Sequence, residues 1–451
     1  MKKIALLLAV LLLSLSASAE TSGECGENLT WKYEEATQTL TISGSGVMDN
    51  YYSYQLRKAP WYDYRNDIRE VIIEEGVTTI GVSAFDHCSA MTAVTIPSGV
   101  TSIGEAAFSG CTALSSIDIP NSVTKIGNMA FFGSGLTSVV IPNSVTKIGY
   151  EAFGSCKDLT SATISKNVES LSYRFFHSCP NLTSVILPEG VTTIGEMAFS
   201  GCTGLSSITI PCSVTTIDKY AFEGCSNLTS LTVSGNLYAI GGDAFKDCRQ
   251  ITDIRIVVSD RSTFCKSNTI SLIYDNIEGL ASFVNTPPVL VGYKLVTLLD
   301  VDGNEIKDYV IPSGVTRIYA DALSKCGGLN SVTIPSSVTS IGNFAFSWCE
   351  SLTDVYCYAS TVPGTYSGVF SNSNLKNATL HVPASSINDY KSRNPWKGFK
   401  NIVPLDDVDG VSSVHKGTSE ATPSYDLQGR RRVDSPSRRG VYIKDGRKII
   451  R

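Results

Sequence analysis

The chain has 451 residues, 18% charged and 42% hydrophobic, with 37 Lys plus Arg against 42 Asp plus Glu and a net charge of −5. That mixture is globular, and its near-neutral balance argues against nucleic acid as the main partner. Only 4 His and 4 Trp are present, which leaves little material for a His-based metal or catalytic site.

The first segment has the pattern of an export signal. Met1-Lys2-Lys3 precedes an apolar run from Ile4 to Leu13, then Ala17-Ser18-Ala19 and Glu20. A basic start, a short apolar stretch and a small-residue site predict a signal peptide over 1–19, cleaved after Ala19. The run is too short to span ~30 Å of hydrocarbon. The first cysteine is Cys25, not directly after the cleavage site, which disfavours a lipid anchor. No later segment has 18 apolar residues in succession, so the mature chain is expected to lack a transmembrane segment.

Residues 20–70 carry no repeat and are expected to form an N-terminal cap. Thr39-Leu40-Thr41-Ile42-Ser43 alternates before Gly44 and Gly46, which predicts a small β-element. Ala59-Pro60-Trp61-Tyr62 is an aromatic cluster suited to covering the first repeat. Trp31, Trp61 and Tyr62 are therefore assigned to cap packing rather than to stacking on a sugar.

From residue 71 the chain is self-similar. The phrase G/S-V-T-x-I-G recurs at Gly76–Gly81, Gly99–Gly104, Ser122–Gly127, Ser144–Gly149, Gly190–Gly195 and Ser337–Gly342, with looser copies between. An aromatic column runs Phe85, Phe108, Phe131, Phe153, Phe176, Phe199, Phe222, Phe245, then Leu323 and Phe346. Its step is constant except for one shortened by a single position, Phe131 to Phe153, and one long gap, Phe245 to Leu323. Eight copies therefore occupy 71–250 and two occupy 311–358.

Within a copy, Leu205, Ile208 and Ile210 enclose Ser207 and Thr209, the period-two pattern of a half-buried strand. Pro ends that strand, and a tight turn leads to a shorter one ending at Ile217 or its equivalent. The Gly that follows is expected to allow a left-handed or tight bend. The A-F-x-x-C piece reads as one helical or 3-10 turn. A single coil buries too little to hold itself together, so coils must stack. The fold class is a leucine-rich-repeat solenoid: about ten 23-residue coils, a parallel sheet of short strands, short helical or 3-10 turns, and β-rich caps.

The repeat L-x-x-V-x-I-P…V-x-x-I-G-x-x-A-F-x-x-C resembles that of the BspA-like leucine-rich repeat proteins, from Val71 to Thr353 apart from one insertion. The resemblance implies a curved, non-enzymatic binding scaffold, secreted or at the surface of a host-associated bacterium. Adhesion to host matrix proteins or other cells would be its task, with an extracellular protein as partner.

Residues 251–310 break the period. Ile254 to Val258 is still strand-like, and Val291–Val301 and Glu305–Ile311 flank Asp302-Gly303-Asn304 as a hairpin would. The acidic residues there lack the twelve-residue frame of a calcium loop. Residues 359–404 are read as the C-terminal cap, with Leu380-His381-Val382 as a last strand and Tyr390, Trp396, Phe399 and Ile402 as a lid. The tail, 405–451, holds a Ser/Thr/Gly linker and then a hairpin signal at Asp445-Gly446. Between Arg430 and Arg451, nine Lys/Arg against two Asp make it locally +7. This end resembles the end of type IX secretion sorting domains.

Catalytic motifs of the H-E-x-x-H, G-x-S-x-G, C-x-x-C or Walker type are absent from the sequence. His87, His177, His381 and His415 fall in different places of the repeat, so neither a metal site nor a cofactor is expected, and no enzyme. Cys88, Cys111, Cys156, Cys179, Cys202, Cys225, Cys248, Cys326 and Cys349 follow the repeat, with Ser134 at the vacant position. Stacking at ~4.8 Å with parallel Cβ vectors holds their Cβ atoms too far apart for disulfides. They are expected as free, buried thiols.

The outward positions of the strands form two columns of mainly Ser and Thr, as exposed strands favour. Departures from that background are the candidate binding residues: Asp118, Val140, Ile186, Asp253, Arg255, Asp354 and Tyr356. Hot spots favour Tyr and Arg, so Arg255 and Tyr356 lead. An extracellular carbohydrate-recognition module, with a glycan as partner, is the alternative. It would need clustered aromatics on one face.

Overall fold

The computed structural model describes residues 21–52, 57–260 and 296–405, four positions between 261 and 295, and the strand backbones of the tail. Residues 1–19, where a signal peptide is expected, lie outside the described residues. The chain divides into Met1–Pro404 and Leu405–Arg451.

The larger unit begins as an antiparallel meander of Thr21–Gly26, Leu29–Glu34 and Thr39–Gly44. Alternation in Leu29–Glu34 buries Leu29, Trp31 and Tyr33. Thr39–Gly44 then pairs in parallel with Glu70–Ile73, and this strand pairs with Ala93–Thr95. A parallel solenoid of about 13 turns follows.

Backbone ladders of three kinds join neighbouring coils. The first is the row of strands such as Ser161–Thr163, paired in register with Ser138–Val140 and Ser184–Ile186. The Thr of each L-T-S phrase supports it: Thr160 Oγ1 donates to Thr137 O at 2.9 Å and Thr183 Oγ1 to Thr160 O at 3.1 Å. The second row holds two-residue strands such as Lys125–Ile126 and Lys147–Ile148, which turn Ile126 into the core.

The third ladder is the A-F-x-x-C segment, and it corrects the expected helical turn. No helix forms there. Two residues per coil are left-handed, such as Ala106 (φ 50°) with Gly110 (66°), and Arg174 (55°) with Ser178 (58°). Alternating hand turns every second N–H toward the next coil. Ser83, Phe85 and His87 donate to Glu105, Ala107 and Ser109 carbonyls at 2.8, 2.9 and 2.7 Å. A 3-10 helix would have spent those donors along its own axis.

The glycine of the I-G step is also reassigned. Gly104 and Gly127 are not among the left-handed residues. A Cβ on Gly104 would sit 2.6 Å from the Gly81 carbonyl carbon, and one on Gly127 2.5 Å from Glu105 N. The small residue is needed for close approach between coils.

The aromatic column is a physical stack. Phe108 and Phe131 lie 5.4 Å apart at 4°, and Phe199 and Phe222 5.1 Å apart at 2°. Phe175 stands where other coils have Ala. It meets Phe176 edge-on at 75°, and the Phe153–Phe176 step tilts to 34°. The stack reaches past the repeat at both ends, through Trp61 on Phe85 and Phe370 on Phe346. Trp396 and Phe399 close it edge-on against Phe370.

Between the two repeat blocks the strand row continues. Asp253–Val257 pairs with Ser230–Ser234 and with Val296–Leu299. Asp308–Val310 pairs with Ser331–Ile334. The antiparallel contact across Asp302-Gly303-Asn304 is a single bridge, Leu299 to Glu305. Asp300 Oδ1 accepts the backbone N–H groups of Asp302 and Asn304 at 3.0 and 2.8 Å, so this carboxylate is used in closing its own turn. In the tail, Val441–Lys444 pairs antiparallel with Arg447–Ile450.

Candidate binding face

Register carries the outward residues into columns. Ser138, Ser161 and Ser184 align, as do Val140, Thr163 and Ile186. Asp253 and Arg255 align with Ser230 and Thr232, and Asp354 and Tyr356 with Ser331 and Thr333. Six of the seven candidate residues therefore lie on paired strands of the row, and Asp118 sits at the corresponding place in a segment that forms no strand; they spread along it in three groups.

Asp118, Val140 and Ile186 form the first group. Val140 and Ile186 are 67% and 61% exposed, well beyond their neighbours in the core. The strand row is interrupted here. Ser116–Asp118 is not strand, and Ser184–Ile186 and Ser207–Thr209 belong to different sheets. A shallow cavity of about 600 Å³ opens between Asp118 and Val140. Another of about 370 Å³ opens between Ile186 and Thr209.

The second group is an ion pair. Arg255 Nε donates to Asp253 Oδ2 at 2.9 Å, and Ser230 Oγ donates to the same oxygen at 2.9 Å. Arg255 is thus paired on the face with its charge compensated.

The third group is larger than the sequence pattern indicates. His381 pairs with Tyr356 across the ladder, and their rings stack at 4.3 Å and 15°. His381 Nε2 lies 3.0 Å from Asp354 Oδ1. Ser331 Oγ donates to Asp308 Oδ1 at 2.6 Å. Partial burial, and then the charges of Asp354, Tyr358 and Asp308, push the Tyr356 hydroxyl above its ordinary pKa. Sequence reasoning missed Asp308 and Val310, although each lies one regular repeat step before its partner, Ser331 or Thr333. His381 falls beyond the regular step from Tyr356, off the period, so no repeat count could place it.

Buried thiols follow the aromatic ladder. Every described cysteine is free, and those of the repeat column are buried. They do more than fill space: Cys111, Cys202 and Cys225 each donate S–H to a ladder Phe carbonyl in the preceding coil at 3.2 Å. Burial pushes the Cys88, Cys202 and Cys349 thiols up to about 12. Thiols of that kind are not nucleophiles near neutral pH. Among the described residues no group of three His, Cys, Asp or Glu could hold a metal, and no helix is long and apolar enough to cross a membrane.

No curated protein matches this sequence. Among solved structures, a leucine-rich repeat protein from Bacteroides ovatus ATCC 8483 is 24% identical, with a TM-score of 0.39 over 74% of this chain and 94% of that one. One from Eubacterium ventriosum ATCC 27560 is 23% identical, with a TM-score of 0.39 over 79% and 95%. The leucine rich repeat protein of T. pallidum is 28% identical, with a TM-score of 0.31 over 39% and 86%. The model of the BspA type leucine rich repeat region matches residues 60–183, 147–271 and 302–397. With well over half its length matched, the chain belongs to the BspA type leucine-rich repeat family.

Proposed function

We propose that this protein is an exported, non-enzymatic scaffold that binds another protein through its strand row, in adhesion to host matrix or to other cells. The observation that carries this reading is the strand row itself. Its outward side chains repeat in register over many coils, and the departures from Ser and Thr fall on that one face. The thirteen described strands from Ala93–Thr95 to Asn401–Pro404, three to five residues or ~12 Å long at ~4.8 Å spacing, offer roughly 750 Å², about one partner's share of a standard interface. The family match supports a protein partner. The pattern over 1–19 and the basic tail support export, with the tail acting as a sorting signal.

The test is a binding screen of the purified mature chain against matrix proteins and glycans. Arg255→Ala with Tyr356→Ala is expected to weaken binding to the captured protein at least tenfold with the fold intact. Unchanged binding by that double variant, with loss on deletion of a cap or the tail, would place the interface elsewhere.

A further inference from the structure

The strand row has a charge bias and two clefts that specify a partner chemistry. From Ala93–Thr95 onward, its described outward positions include Asp118, Asp253, Asp308 and Asp354. The single Lys or Arg among them is Arg255, which Asp253 already neutralises. Each cleft is lined by one carboxylate, Asp118 or Glu189, and by no Lys or Arg. Each also has an exposed branched apolar side chain at its rim, Val140 or Ile186. Both clefts sit where adjacent rungs are not paired as strands of one sheet; at the first, the rungs keep a single backbone bond at their start, Thr137 N–H to Ser115 O at 3.0 Å.

The spacing is informative. The clefts are three rungs apart, ~14 Å at ~4.8 Å per rung. An extended chain lying along the stack covers that distance in about four residues at ~3.4 Å each. An even step keeps both side chains on the same side of such a chain. A helix would need about nine or ten residues at ~1.5 Å rise, and would turn the second side chain away from the first.

We propose that this part of the strand row takes an extended, basic segment of a protein partner. Branched apolar side chains at positions i and i+4 enter the two clefts, and flanking Lys or Arg residues face Asp118 and Glu189. The proposal rests on the protein-binding reading above and narrows it to one kind of segment.

Immobilised nine-residue peptides test it, using the full mature chain as analyte. The first is Lys-Thr-Val-Thr-Thr-Thr-Val-Thr-Lys. The second has the same composition with the two Val three apart, and the third has Glu in place of Lys. The first is expected to bind at least tenfold tighter than either control, and less tightly as salt rises. Val140→Thr with Ile186→Thr, both at exposed positions, should reduce the first peptide to the level of the second. Equal binding of all three, no binding, or indifference to the two substitutions overturns the proposal. Matrix proteins run in parallel separate the two failures. If the chain captures one of them but ignores the peptides, the segment chemistry is wrong and the scaffold reading stands. If it captures nothing, both fall.

Discussion

Replacing Trp61 by Phe isolates what the N-terminal cap does for the stack. The indole ring lies on Phe85 at 5.7 Å and 21°, as though it were one more rung of the aromatic column. Its Nε1–H donates to the Ala84 carbonyl at 2.7 Å. In later coils the equivalent carbonyl takes an N–H from the coil before, as Ala107 O takes Phe85 N–H. Trp61 therefore supplies, from a side chain, the donor that the missing coil would have supplied. Phe keeps the stacking and removes the donor. An unsatisfied buried carbonyl costs ~1–3 kcal/mol. Weakened edge contacts with Trp31 and Tyr51, at 5.9 and 5.7 Å, add to this. Each such contact is worth ~0.5–1.5 kcal/mol, of which a Phe ring keeps a part, so the whole effect is about 2–4 kcal/mol. Stability in a solenoid is a sum of neighbour terms, so the loss falls on the first coils. Native-state hydrogen exchange reads it directly. Amides of Val77–Thr95 should exchange faster by roughly thirty- to several-hundred-fold, at tenfold per 1.4 kcal/mol. Those of Thr193–Ile217 should be unchanged. Equal acceleration along the whole chain, or none over Val77–Thr95, would refute the capping argument.

Phe175→Ala restores the Ala found in other coils, yet it should destabilise by ~3–5 kcal/mol in thermal unfolding, because the ring is fully buried and leaves a cavity. Iodoacetamide should label the column cysteines slowly in native protein and rapidly once denatured, with no disulfide between consecutive coils on peptide mapping. A thiol held at about 12 when folded and near 9 when unfolded binds its proton more tightly in the folded chain. Its contribution is complete below pH 9 and is lost as pH rises toward 12, by about 1.4 kcal/mol per unit for each thiol. Under reducing conditions, urea midpoints should therefore fall between pH 9 and 12, and a flat profile would argue against the buried ladder. Mass spectrometry of exported protein should find an N-terminus near Glu20, and an intact Met1 would exclude cleavage.

Much of this architecture is legible in the sequence because a solenoid makes sequence period and spatial period the same thing. The constant step places Phe108 on Phe131 and Ser161 on Ser184, and alternation within a phrase decides which side chain faces water. Those are local or strictly periodic facts, so residue order alone determines them. Three features escape that logic. The hand of Ala106 and Gly110 depends on donors finding acceptors in the next coil, which a single phrase cannot express. The glycine of the I-G step is small because another backbone passes within van der Waals contact, and that backbone belongs to the neighbouring coil. Trp61, His381 and Phe370 join the ladders at steps longer than the repeat, where packing rather than counting sets the partner. The binding face divides the same way. Its columns follow from the period, whereas the clefts beside Val140 and Ile186 arise from how adjacent rungs separate, which only the assembled stack decides.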